Sequence, residues 1–267
     1  MLSLFDSTIL GIIQGITEFL PISSSGHLII ARDILGITQT GGLAFDAILQ
    51  LATACAVLIY FRKDIQDLVL NIFKKEKDSQ KVKLTWALIV GTIPAVIAGL
   101  YLQDYMETIF RSPMLVVGTL IVGAGVMFSA DLFLKNRKID AEDLTIGKGF
   151  GVGLYQCLAL VPGMSRSGMS ISGGYFLGLS KEMSVRFSFL LSIPIILGSG
   201  LVKLVDIVKD PSIVSGGFMT LIFGFLSAFI FGWLAIDFLL KFLKTNSFTV
   251  FVVYRVLLAF TLLFLLV

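Results

Sequence analysis

Charged residues are scarce in this chain. Asp, Glu, Lys and Arg make up 15% of its 267 residues and 56% are hydrophobic, whereas a water-soluble domain carries about 25% charged residues. A net charge of +3 excludes the strongly basic surface of a nucleic-acid-binding protein, so we expect no nucleic-acid partner. Histidine occurs once and cysteine twice. Because Cys55 and Cys157 form no CxxC or Cys/His ligand pattern, we interpret them as packing residues.

Apolar runs of about twenty residues recur along the whole chain, and the mean hydropathy is +0.94. That length matches a helix crossing a bilayer core of about 30 Å and not the shorter alternating strands of a barrel. The sequence therefore predicts an all-α, polytopic membrane protein in which residues 1–267 form a single membrane domain. The chain begins "MLSLFDSTIL", with no Lys or Arg before Arg32 and no small-residue cleavage site ahead of a hydrophilic chain, so we expect no cleaved signal peptide.

Two stretches of the chain resemble each other. "GIIQGITEFLPISSSG" from Gly11 and "GLYQCLALVPGMSRSG" from Gly153 both have G-x-x-Q, an apolar run, a proline and a serine-rich turn ending in Ser-Gly. The order continues downstream, where "FDAILQLATACAVL" aligns with "FSFLLSIPIILGSGL". We interpret this as a duplication, with repeat one at 1–140 and repeat two at 147–267.

Each repeat begins with a broken apolar segment and continues with three uninterrupted ones. The broken segments, near 8–31 and 149–178, contain Pro21 and Pro162 beside clusters of serine and glycine. Because proline interrupts a helix, each segment is predicted to be a re-entrant helical hairpin. The predicted transmembrane helices are 43–61, 84–102 and 114–134 in repeat one, and 186–205, 216–240 and 248–267 in repeat two.

Three crossings per repeat place the second repeat upside down relative to the first, so the two hairpins enter from opposite faces and their turns meet near the midplane. The basic residues support this inverted topology, because one side carries far more of them and the richer side is cytoplasmic. Both termini are then outside. The richer side has Arg62, Lys63, Lys74, Lys75, Lys77, Lys81, Lys83, Lys135, Arg137, Lys138, Lys148, Lys181, Arg186, Lys241 and Lys244, and the other has Arg32, Arg111, Lys203 and Lys209.

The two turns are the candidate functional site, because irregular backbone at membrane depth is tolerated only inside protein or beside a wet cavity. Each serine-rich stretch precedes an apolar helix, where free backbone N–H groups and the helix dipole attract anions. The first turn offers Gln14 and Glu18 on one helical face, then Ser23, Ser24, Ser25 and His27, and the second offers Ser165, Arg166, Ser167 and Ser170.

An arginine in the bilayer costs about 3 kcal/mol or more, so Arg166 needs an anionic partner or a function. A guanidinium forms forked hydrogen bonds to phosphate oxygens. Glu18 is suited to be a base or a metal ligand, and His27 to be a general acid, base or nucleophile. Together these residues predict phosphoryl transfer inside a membrane.

Simpler interpretations remain open at each position. His27 is explained equally by a structural hydrogen bond, and the serines by helix capping. Glu18 and Arg166 are also expected to pair if their only role is to neutralise each other. Four further charged residues near or within the predicted helices are assigned no chemistry: Asp46, Asp131, Asp237 and Arg255.

The motifs resemble those of a known family. "QGITEFLPISSSGHL" is similar to the (Glu/Gln)-x-x-x-Glu motif with its Ser-x-Gly-His continuation, and "PGMSRSGMSISGG" to the Pro-Gly-x-Ser-Arg-Ser-x-x-Thr motif, of the undecaprenyl pyrophosphate phosphatases associated with bacitracin resistance. The likeness covers nearly the entire chain. It implies hydrolysis of undecaprenyl diphosphate to the monophosphate, in the cytoplasmic (plasma) membrane, at a site that opens to the outer face. It also implies a polyprenyl diphosphate partner and a divalent cation, Mg²⁺ or Ca²⁺. A homodimer is compatible with the sequence, which does not fix the oligomeric state.

The resemblance also implies roles for individual residues. Arg166 would clamp the diphosphate, with Ser24 and His27 handling the attack and Glu18 acting as base or metal ligand. Whether Ser24, His27 or a water is the nucleophile stays open. Gln14 stands where many members have glutamate, which leaves more of the acid and metal chemistry to Glu18. The predicted substrate-binding residues are Gln14, Ser25, Ser165, Ser167 and Ser170, the last replacing the threonine of the motif.

Two other classes of protein fit parts of the pattern. Inverted repeats with broken helices also describe secondary transporters, so a lipid or anion transporter or flippase is the main alternative. A catalytically inactive scaffold is disfavoured by the intact set of Glu18, His27 and Arg166.

Overall fold

The protein is α-helical in a computed structural model that describes residues 2–37, 42–74, 76, 78–102, 105, 112–137, 144–209 and 217–266. Within those ranges the chain forms eleven α-helices, one 3-10 turn and no strand. The helices are α1 Leu4–Phe19, α2 Ser24–Ile34, α3 Gly42–Tyr60, α4 Arg62–Phe73, α5 Ser79–Tyr101, α6 Pro113–Arg137, α7 Ile146–Cys157, α8 Arg166–Phe176, α9 Lys181–Lys209, α10 Phe218–Thr245 and α11 Thr249–Leu266.

Five helices in the described part are long and apolar enough to cross a membrane: α5, α6, α9, α10 and α11. A sixth crossing is obtained if α3 and α4, which meet at a bend of 70°, count as one broken span. The prediction of a multi-pass helical membrane protein is therefore confirmed. Some predicted positions lie outside the described residues. These are Lys75, Lys77, Arg111, Lys138, the first residue of the predicted helix 216–240 and the last residue of the predicted helix 248–267.

Several helices differ in extent from the prediction. α9 begins at Lys181, five residues before the predicted start at 186. The prediction followed the apolar run alone, whereas a helix can extend past the hydrocarbon part of the bilayer when its long polar side chains reach water. The segment "RKDIQDLVLNIF" was not predicted as a helix, yet it forms α4. Its mixed polar and apolar residues gave no sign of a membrane span.

Both broken segments are helix–turn–helix units, as predicted. α1 ends at Phe19 and α2 begins at Ser24, while α7 and its 3-10 extension end at Leu160 and α8 begins at Arg166. The residues before α2 and α8 are Ser23 and Ser165, whose φ angles of 71° and 72° are rare for residues other than glycine. The two turns thus share one unusual backbone geometry. The insertion of the hairpins from opposite faces stays a prediction.

Glycine brings each broken segment against a long helix of the other predicted repeat. A Cβ atom at Gly15 in α1 would lie 2.6 Å from the Ala228 carbonyl oxygen in α10. One at Gly153 in α7 would lie 2.1 Å from the Gly91 carbonyl oxygen in α5. Small residues allow such close backbone approach between membrane helices. The turns are therefore held by the packing of their preceding helices.

The end of α1 is anchored by aromatic packing. Phe19 is completely buried and its ring meets that of Phe189 edge to face, with centroids 5.4 Å apart. Such pairs contribute about 1 kcal/mol beyond the area they bury. Because Phe19 follows Glu18 directly, this contact fixes the helix turn that carries the acidic side chain.

Candidate active site

Glu18 is the centre of a buried polar cluster. Its Oε2 accepts hydrogen bonds from Gln14 Nε2 at 2.9 Å and from Ser24 Oγ at 2.8 Å. Its Oε1 accepts one from an Arg166 guanidinium nitrogen, Nη2, at 2.5 Å. The structure thus brings together four of the predicted residues, one of them from the second turn.

Arg166 is the first residue of α8, so the turn before it determines where its side chain starts. The side chain is 13% exposed. Nη2 binds Glu18, but Nη1 is buried without a hydrogen-bond partner among the described residues. A guanidinium has five N–H donors, and a buried donor without an acceptor is costly. The arrangement leaves Arg166 able to bind a further anionic oxygen.

Serine hydroxyls join the two turns. Ser167 Oγ donates to the carbonyl oxygen of Leu20 at 3.2 Å, and Ser25 Oγ accepts from the Gly163 backbone N–H at 3.3 Å. Both bonds cross from one turn to the other. The turns are therefore one structural unit and their side chains cannot move apart independently.

The other two serines of the second motif are bonded within their own region. Ser165 Oγ accepts from the Gly168 backbone N–H at 3.2 Å and lies 3.3 Å from Ser167 Oγ. Ser170 is buried and donates to the Arg166 carbonyl oxygen at 2.8 Å, with Ser188 Oγ 2.5 Å away. Both serines support the turn around Arg166. Substrate contact by Ser165, Ser167, Ser170, Ser25 and Gln14 stays a prediction.

His27 lies one turn beyond Ser24 on α2 and has its own two partners. Nδ1 is 2.8 Å from the Ser23 carbonyl oxygen, and Nε2 is 2.7 Å from the hydroxyl oxygen of Tyr254 on α11. The two rings are parallel within 2°, with centroids 5.5 Å apart. None of the hydrogen bonds in the described part joins His27 to Glu18 or Arg166 directly.

Sequence reasoning missed Tyr254 and assigned no chemistry to Arg255. The Arg255 side chain is completely buried, and its Nη2 donates to the carbonyl oxygens of Gly163 at 2.7 Å and Leu120 at 3.1 Å. Within the described residues it has no carboxylate partner. A single arginine within the apolar run "VFVVYRVLLAF" is itself an indication of a functional residue, because charged side chains in membrane segments are rare. Tyr254 gave no signal, because it lies 227 positions from His27.

A divalent cation fits this site only if the substrate supplies part of its coordination. The described residues contain no group of three or more His, Cys, Asp or Glu side chains placed to hold a metal. Mg²⁺ is often bound by one or two carboxylates together with substrate phosphates. Gln14 Oε1 is buried without a partner beside Glu18. This oxygen and the Glu18 carboxylate are suitable oxygen ligands.

These features define a class: an integral membrane protein in which a buried polar cluster joins an acid, an arginine and serines from two helix turns. The chain belongs to the family described as bacitracin resistance protein BacA, whose model matches residues 7–261.

Curated relatives cover nearly all of the chain. An undecaprenyl-diphosphatase of Elusimicrobium minutum is 42% identical over 94% of this chain and 93% of its own length. One of Methanosphaera stadtmanae is 41% identical, over 95% of both chains. One of Myxococcus xanthus is 43% identical over 99% of this chain and 90% of its own. The likeness therefore includes both turns and all eleven described helices.

Proposed function

We propose that this chain is an integral membrane phosphatase that hydrolyses undecaprenyl diphosphate to undecaprenyl phosphate and inorganic phosphate, and so recycles the lipid carrier for cell-wall glycan synthesis. The observation that carries the proposal is the Glu18–Arg166 pair with Gln14 and Ser24 around it. It assembles an anion-binding group and an acid from two separate turns. The names of the relatives supply the substrate.

Arg166 binds the diphosphate in this scheme. Its unpartnered Nη1 offers the first hydrogen bond, and a phosphate oxygen then replaces Glu18 at Nη2 to complete a forked contact. The first backbone N–H groups of α2 and α8 supply further donors. Glu18 is released from the ion pair only when the headgroup arrives, which links substrate binding to the exposure of the acid.

The reaction breaks the bond between the terminal phosphorus and the bridging oxygen. The attacking atom, an oxygen of Ser24 or of water or the Nε2 nitrogen of His27, bonds to that phosphorus, and the lipid monophosphate leaves with the bridging oxygen. The proton of an attacking hydroxyl or water passes to Glu18 or His27. If Ser24 attacks first, water releases the phosphate in a second step. A divalent cation held by Gln14 Oε1 and Glu18 would neutralise charge on the diphosphate.

The proposed location is the cytoplasmic membrane, with the site opening to its outer face and the lysine-rich loops inside. The unequal distribution of Lys and Arg supports this orientation. The broken segments would then place the diphosphate within reach of lipid on the outer side. A homodimer stays a prediction that the single chain does not address.

Phosphate release from purified protein in detergent tests the proposal. Long-chain polyprenyl diphosphate should yield inorganic phosphate, and His27→Ala and Arg166→Ala should reduce the rate by at least about 100-fold. Arg62→Ala is the matched control, because Arg62 is exposed and bonds only the nearby Ile59 carbonyl among the described contacts. All variants should elute from size exclusion as the parent does. Movement of the lipid across liposomes without phosphate release would instead support the transporter.

A further inference from the structure

The orientation of the only histidine is set by two hydrogen bonds of different kinds. The Ser23 carbonyl oxygen can only accept, so Nδ1 of His27, 2.8 Å away, must carry a proton. In a neutral imidazole the other nitrogen then has a free lone pair. Nε2 therefore accepts a hydrogen bond from the Tyr254 hydroxyl, 2.7 Å away.

The tyrosine holds the ring from a distant part of the chain. His27 lies on the first turn of α2, while Tyr254 comes from α11, 227 positions away in the sequence. The parallel rings and the hydrogen bond together restrict rotation about the His27 Cβ–Cγ bond. The next residue, Arg255, binds the Gly163 carbonyl of the second turn. Two consecutive residues of α11 thus reach the two turns, Tyr254 through His27 of the first and Arg255 through Gly163 of the second.

We infer that Tyr254 is a positioning residue that fixes the direction of the Nε2 lone pair of His27. The inference rests on the proposed function, because His27 needs a defined reactive atom only if it takes part in phosphoryl transfer. The carbonyl bond fixes the tautomer and the Tyr254 bond fixes the direction of the lone pair. The Tyr254 hydroxyl occupies that lone pair, so Nε2 can take a proton from the attacking group, or bond to phosphorus, only after the hydroxyl has turned away. The imidazole is already oriented at that point and loses less freedom in the transition state.

Imidazole ¹⁵N spectroscopy tests the inference without an activity assay, because His27 is the only histidine and gives an unambiguous signal. At about pH 8, above the ordinary imidazole pKa of about 6.5, the wild-type protein should show a protonated Nδ1 and a hydrogen-bonded, unprotonated Nε2. In Tyr254→Phe the Nδ1 signal should persist and the Nε2 signal should move downfield as its bond is lost.

Tyr60→Phe is the matched control. It removes a tyrosine hydroxyl that donates to Asp237 at 3.1 Å, and both hydrogen bonds of His27 stay in place. Its imidazole spectrum should equal that of the wild type. Phosphate release by Tyr254→Phe should show kcat lowered about tenfold, by analogy with lost hydrogen bonds to metal-binding histidines, and KM changed less than about twofold.

Three results would overturn the inference: a proton on Nε2 in the neutral wild type, a Tyr254→Phe spectrum equal to that of the wild type, or an unchanged kcat. If the wild type releases no phosphate at all, the proposed function fails while the spectra still decide whether Tyr254 holds the Nε2 lone pair of His27. The wild-type spectrum alone decides the tautomer if Tyr254→Phe does not fold.

Discussion

Glu18 and Arg166 are 148 positions apart in the sequence and form one buried ion pair, with 2.5 Å between Oε1 and Nη2. Removing one partner of such a pair leaves an unpaired charge in a medium of low polarity, which costs more than removing both. The pair is therefore a constraint on folding as well as part of the proposed site.

Glu18→Gln and Arg166→Met should each lower the free energy of unfolding by up to about 3 kcal/mol. The double variant should lose less than the sum of the two, because neither charge remains unpaired. All three should lack phosphate release. Thermal unfolding in detergent and the phosphate assay check this. Asp67→Asn breaks an exposed pair with Lys81 and should leave the melting temperature unchanged. Additive losses in the double variant would show that the two side chains do not interact.

Gln14→Glu should lower the Mg²⁺ concentration needed for half-maximal phosphate release. A carboxylate binds Mg²⁺ better than an amide, and a second acid beside Glu18 creates repulsion that a cation relieves. Gln80→Glu makes the same chemical change at an exposed position of α5 and should have no effect. Chelator should abolish activity of the parent. Full activity in chelator, or an unchanged Mg²⁺ dependence in the variant, would contradict the assignment of Gln14 and Glu18 as metal ligands.

Gly123→Ala should destabilise the protein by about 2 kcal/mol, the range for overpacking a buried site. The new Cβ would lie 2.2 Å from Arg255 Nη2 and 3.0 Å from the Met164 carbonyl oxygen, so it displaces the guanidinium that holds the second turn. Gly118→Ala on the same helix meets nothing within 4 Å and should be tolerated. Melting temperature and phosphate release measure both variants. Equal behaviour of the two would remove the support for Arg255 as a structural contact.

Orientation in the membrane can be measured with single cysteines. In a background of Cys55→Ala and Cys157→Ala, a membrane-impermeant thiol reagent added to intact cells should label Asp33→Cys and not Lys244→Cys. Both positions are exposed in the structure. After the cells are broken, both should react. Labelling of Lys244→Cys in intact cells would reverse the predicted topology.

The sequence was sufficient for the membrane helices and for both turns, because long apolar runs and Pro21 and Pro162 act locally. It also marked Glu18 and Arg166, since charges in apolar surroundings are rare. It could not supply the partner of His27. A tyrosine in an apolar helix has no local sign of function, and only the packing of α11 beside α2 reveals the contact. α4 was missed because its mixed charged and apolar residues gave no sign of a membrane span by themselves.

If Arg166 binds a phosphate headgroup as proposed, its ion pair with Glu18 also limits how strongly that headgroup is held. Any phosphate that reaches Arg166 competes with a carboxylate already in place at Nη2, so the affinity observed is the difference between two strong attractions and not the strength of either. In a site built in this way the carboxylate and the guanidinium balance each other's charge, so a product that still carries phosphate can be released.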